Sequence, residues 1–97
     1  MNHEGIIGEI GMQRFGWHPQ VASRTLEGTA FILHNSRMVS LNPVGTFIWD
    51  SFRDGATVSE VTLAVTEEFA VDAESASADT VGFVEMLVAR ELLAINA

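Results

Sequence analysis

A chain of 97 residues suffices for one small domain and is too short for two. Apolar residues make up 47% of it, which excludes a disordered chain, and five arginines with no lysine against thirteen acids leave a formal net charge of −8. That balance disfavours a nucleic-acid backbone or an anionic membrane as partner, and the absence of cysteine removes disulfides, thiolate catalysis and sulfur-ligated metals.

The charge is localised. Residues 1–49 carry Glu4, Glu9 and Glu27 against three arginines, whereas residues 50–97 carry ten acids against Arg53 and Arg90. The acidic half reads as a solvated face. No apolar run reaches the length of a membrane span, and the acidic N-terminus has no basic region of a secretory signal, so a cytoplasmic protein is expected.

In chain order, residues 1–19 come first, with Gly5, Gly8, Gly11 and Gly16 and a closing Pro19. So many glycines argue against a stable helix, while Ile6, Ile7, Ile10, Met12, Phe15 and Trp17 argue against a solvated tail. This segment reads as a partly ordered arm ahead of a domain at 20–97. The arm either packs outside the sheet or lies, over residues 6–17, in a groove of its own or a neighbouring chain. Exchange between two copies would give a homodimer.

From Gln20 to Leu41 the pattern is that of two or three short antiparallel strands. Thr29–His34 and Arg37–Leu41 form the clearest hairpin, joined by Asn35-Ser36, where asparagine tolerates positive φ. At Asn42 the period changes. Asn42 is an N-cap with Pro43 at the first helical position. Val44, Phe47, Ile48 and Phe52 share one face of this helix, with Trp49 on its flank. Asp54-Gly55 ends it. Thr57 with Glu60 is a capping box for a second helix, in which Val58, Val61, Leu63, Val65 and Phe69 supply apolar contacts. Val71-Asp72 breaks that helix, and a third covers Ala73–Arg90, with a stripe of Ala76, Thr80, Phe83, Val84 and Leu87. The expected fold is a small α+β domain of winged helix-turn-helix character, strands first and three helices after.

No catalytic constellation is visible. His3, His18 and His34 are far apart and read as isolated side chains, not as the three or four convergent ligands of a metal site. No nucleophile elbow, lysine or tyrosine is present, and the paired acids lie at helix ends. The chain is therefore expected to be a binding module, without enzymatic activity, cofactor or metal. A groove between the strand Arg37–Leu41 and the apolar stripe Val81, Val84, Val88 would suit an extended peptide, although both stripes also fit an ordinary core.

The stretch from Leu41 onward adds a resemblance. Leu41-Asn42, Val44-Gly45, Ile48-Trp49, Asp54-Gly55, Thr57-Val58 and Glu60-Val61, continued by Phe69, Val71-Asp72, Asp79, Phe83, Leu87 and Leu92, resemble in order and spacing the PqqD-like family of peptide chaperones, the RiPP recognition elements. The resemblance covers about residues 20–95. It implies a three-stranded sheet followed by three helices. It also implies a role in binding the leader of a ribosomally made precursor peptide, as in pyrroloquinoline quinone (PQQ) biosynthesis. The leader would add as a strand beside Arg37–Leu41 and against the third helix, for presentation to a modifying enzyme, often a radical SAM enzyme. Candidate peptide-contacting residues are then Arg37, Met38, Val39, Ser40 and Leu41 on the strand and Val81, Val84, Glu85 and Val88 on the helix. Where the family commonly has glycine at the end of the third helix this chain has Glu91, so that helix is expected to end differently or to run on. The alternative is a winged-helix interaction or regulatory module with no precursor substrate; nucleic-acid binding is opposed by the charge.

Overall fold

The structure, a computed structural model, describes residues 12–95. Among these, six short strands and three helices follow in the order β1 (Arg14–Trp17), β2 (Ala22–Leu26), β3 (Thr29–His34), β4 (Arg37–Ser40), α1 (Pro43–Ser51), β5 (Ala56–Thr57), α2 (Val58–Phe69), α3 (Ala73–Ala89) and β6 (Leu93–Ile95). The fold class is the small α+β arrangement expected, with strands also placed between and after the helices.

β2, β3 and β4 form one antiparallel meander. Each of its two turns has both central residues at positive φ: Glu27 with Gly28, and Asn35 with Ser36. That backbone hand matches the twist of paired strands and fixes the register Ile32↔Val39 and His34↔Arg37. Ala30, Ile32 and His34 turn inward and are buried, while Phe31 and Leu33 face out. Thr46 of α1 ties helix to sheet. Its hydroxyl accepts from Ala30 N–H at 2.9 Å and donates to the Leu41 carbonyl at 3.3 Å.

The second sheet has the order β5-β1-β6. Of the arm expected over residues 1–19, residues 1–11 lie outside the described residues. Arg14–Trp17 are the central strand of this sheet, not groove occupants, with Phe15 opposite both Ala56 and Ile95. Phe15 is buried, and Trp17 stacks on Trp49 with centroids 4.5 Å apart. Both indole N–H groups are satisfied: Trp17 donates to the Trp49 carbonyl at 2.8 Å and Trp49 to Ser23 Oγ at 2.9 Å. Trp49, flanking the apolar face of α1, is a core residue as expected, fully buried at its centre with Ile32, Ile48, Phe52 and Leu87.

The caps follow the sequence. Asn42 Oδ1 accepts from Gly45 N–H at 2.7 Å, and Thr57 with Glu60 forms the reciprocal box. Val58, Val61 and Val65 of α2 are buried, but Leu63, expected to make apolar contacts, is 62% exposed because it sits on the outer side of the helix. Ala70, at φ 52°, ends α2 in the left-handed region. Asp72 caps α3 by accepting from Ser75 N–H at 2.7 Å.

α3 neither runs on nor ends in a new way. Glu91 itself takes the left-handed turn, at φ 60°. Leu92 N–H reaches the Leu87 carbonyl at 2.9 Å and Glu91 N–H the Val88 carbonyl at 3.0 Å, the paired bonds of a Schellman end. A non-glycine residue thus holds the position that suits glycine best. The turn sends Leu92 and Leu93 into the core and the chain into β6.

Candidate functional site

β4 is the last strand of its sheet among the described residues. Leu41 N–H donates to the Ala30 carbonyl at 3.0 Å. Ladder groups alternate along an antiparallel strand, so Val39 and Arg37 turn their N–H and C=O toward β3. Those of Met38 and Ser40 point to the open edge. That edge is available for one more strand.

Two cavities lie along the seam between this part of the chain and α3. The first, of about 640 Å³, is lined by Ile32, His34, Asn35, Arg37 and Val39 on the sheet side and by Ala89, Arg90, Glu91 and Leu92 at the end of α3. The second, of about 590 Å³, lies between the start of α1 (Asn42, Val44, Gly45, Ile48) and Ala78, Asp79, Gly82, Phe83 and Met86 of α3. One wall ascends from Arg37 to Ile48 while the other descends from Leu92 to Ala78. The two cavities share no lining residue; we read them, in succession along α3, as one trough whose walls have opposed chain directions. Gly45 sets its width at one point, because a Cβ there would stand 3.0 Å from the tip of Phe83. Gly82 leaves its floor open: a Cβ there would meet nothing within 4 Å.

The two halves of the expected site residue set are not brought together. Arg37 and Val39 line the first cavity. Met38 and Ser40 are exposed on the outer face of the strand, and Leu41 is buried. Val84, Glu85 and Val88 line a different cavity, of about 540 Å³, with Gln13, Phe15, Ala89 and Ile95. Val81 is half-buried against the core. The helical face toward the trough is Asp79, Gly82, Phe83, Met86 and Arg90, on the far side of α3 from the Val81–Val88 stripe. Phe83, expected in the core, is half-buried at the trough wall.

His18 and His34, distant in sequence, have rings 5.0 Å apart, so they are neighbours and not isolated side chains. His18 Nδ1 accepts from Gln20 N–H at 3.2 Å. His34 is buried and lines the first cavity. Among the described residues no three His, Cys, Asp or Glu side chains gather as a metal site, and no helix is long and apolar enough to cross a membrane. The carboxylates held below their ordinary range lie outside the trough. Glu60 is lowered chiefly by the Thr57 backbone N–H, then by the Thr57 hydroxyl and by Arg14. Asp72 is lowered by the Ser75 backbone and side chain.

Meander, open strand edge and facing helix define a small winged-helix-like binding domain. The family model for coenzyme PQQ synthesis protein D (PqqD) matches residues 29–93, and the chain belongs to that family. The solved structure of TbiB1 in complex with the TbiA(beta) leader peptide is similar over 84% of this chain and 98% of that one, with a TM-score of 0.78 and 26% identity. No curated protein matches the chain.

Proposed function

We propose that the chain is a RiPP recognition element that binds the leader of a precursor peptide as a strand added to the open edge of β4, under cover of α3. The carrying observation is the unpaired edge at Met38 and Ser40 beside a trough walled by α3. Main-chain bonds supply affinity in this mode, and alternate side chains enter the trough for specificity. The similarity to a protein solved with its leader peptide supports the same reading. The chain works as a non-enzymatic, cytoplasmic partner of a peptide-modifying enzyme, a radical SAM enzyme being the first to test, and holds the precursor while that enzyme acts on it. A homodimer formed through the N-terminal segment would compete with this docking.

The test titrates calorimetrically the leader of a candidate precursor peptide, chosen from short open reading frames near the gene. Proline at position 38 removes an N–H that points to the open edge and takes no bond from β3. Met38→Pro is expected to melt within a few degrees of wild type and to lose at least about tenfold in affinity, the scale of one or two backbone bonds. A folded variant that binds the leader as tightly as wild type refutes strand addition.

A further inference from the structure

Five arginines are the formal cations of this −8 chain, and three are accounted for away from the trough. Arg14 pairs with Glu60 at 3.6 Å. Arg53 lies 5.5 Å over the Trp17 ring. Arg24 is exposed on β2, paired with Phe31. The other two, Arg37 and Arg90, come from chain positions 53 apart in number and line the same cavity at the hairpin end of the trough. Among the described residues, neither has a carboxylate within salt-bridge distance, although Glu91 lines the same space. An edge-strand arginine guards against aggregation, and a helix-end arginine complements the dipole. Neither role requires the two to share one cavity.

We infer that this end of the trough selects an acidic side chain of the bound peptide, with Arg37 and Arg90 as its specificity-determining residues. The inference rests on the peptide-binding reading above. A guanidinium offers a planar fork of donors that matches a carboxylate, and two around one cavity can hold it from both walls. The other end of the trough carries Asp79 among Val44, Ile48, Phe83 and Met86, so it favours apolar side chains and repels an acid. Charge therefore sets the direction of the peptide as well as its composition. Side chains facing the trough alternate along an added strand. The acid and the apolar anchor must then be separated by an even number of positions.

The test is selection of displayed random 12-residue peptides on the full chain, on the double variant Arg37→Glu with Arg90→Glu, on Arg37→Gln, and on Arg24→Glu as a control outside the trough. Wild type and the control are expected to enrich Asp or Glu at one fixed position, an even number of residues from an apolar anchor. The double variant is expected to enrich Lys or Arg there. In anisotropy titrations, a Glu→Gln analogue of the recovered peptide should lose about tenfold on wild type and much less on Arg37→Gln, as for removal of a charge-assisted bond. Apolar-anchored peptides with no fixed acid overturn this inference and leave strand addition standing. Recovery of no peptide on any protein overturns both.

Discussion

Glu91 occupies a backbone position at φ 60°, where a Cβ crowds the following carbonyl. The left-handed region costs an L-residue about 1–2 kcal/mol, and glycine escapes that cost. Glycine also loosens the unfolded chain, which returns about 0.4–1 kcal/mol of the gain. The Schellman bonds from Leu92 and Glu91 are made by backbone N–H groups and survive the change. Glu91→Gly should therefore stabilise the domain by about 1 kcal/mol, equivalent to a rise of about 4–8 °C in Tm for a domain of this size. A confounding gain comes from removing a negative charge at the negative end of α3, typically a few tenths of a kcal/mol when exposed. Glu91→Ala isolates it, because alanine removes the charge and keeps the Cβ at positive φ. Thermal melts of both variants at neutral pH decide the matter. A glycine variant no more stable than the alanine variant refutes the strain account.

Thr80 is fully buried and its hydroxyl has no hydrogen-bond partner among the described residues; Thr80→Val, nearly isosteric, should gain about 1 kcal/mol in urea unfolding by removing an unpaired polar group. Gly82→Leu should raise Tm, since a mid-helix glycine costs about 0.5–1 kcal/mol and nothing opposes a Cβ there, and should weaken leader binding at least about tenfold by filling the trough; gain or loss of both together would refute an open floor at that point. Asp72 is held below the ordinary carboxylate range by Ser75, so its stabilising contribution is present above its unfolded pKa and is lost as pH falls through the lower folded value. Acid titrations of stability for wild type and Asp72→Asn should converge as pH falls below about 4, and parallel curves would remove Asp72 from the acid limb.

What was legible in the sequence was local. The Asn35-Ser36 turn, the Asn42 and Thr57 caps and the break before Asp72 each rest on residues within four positions of one another, and all stand where expected. The second sheet was not legible. Its strands have two to four residues, too few for period-two alternation to show, and β1 contains a glycine. Its partners are remote, as in Arg14 with Thr57 and Phe15 with Ile95. The same remoteness hid the Trp17–Trp49 stack and the His18–His34 neighbourhood. Leu63 shows the converse: an apolar residue near a helical stripe is not buried when nothing covers its side.

The choice of helix face and the missing sheet are one problem. α3 carries two apolar sides, and its periodicity says only that both exist. Which side is free depends on what covers the other. β1 and β6 bring Phe15 and Ile95 to the same cavity as Val84 and Val88, so that side looks onto the second sheet. The side with Gly82, Phe83 and Met86 then faces α1, while Arg90 faces β4, and this side walls the trough. Without β1 and β6, the more β-branched stripe is the natural choice for a peptide wall, whereas the structure places Val84 and Val88 in a different cavity from Arg37 and Val39. Composition sharpens the contrast. Val84 and Leu87 pack as core residues do, whereas a glycine, a half-buried phenylalanine and a flexible methionine leave space and adapt to varied side chains. A surface that must take in a peptide and release it is better made from the second set than from the first.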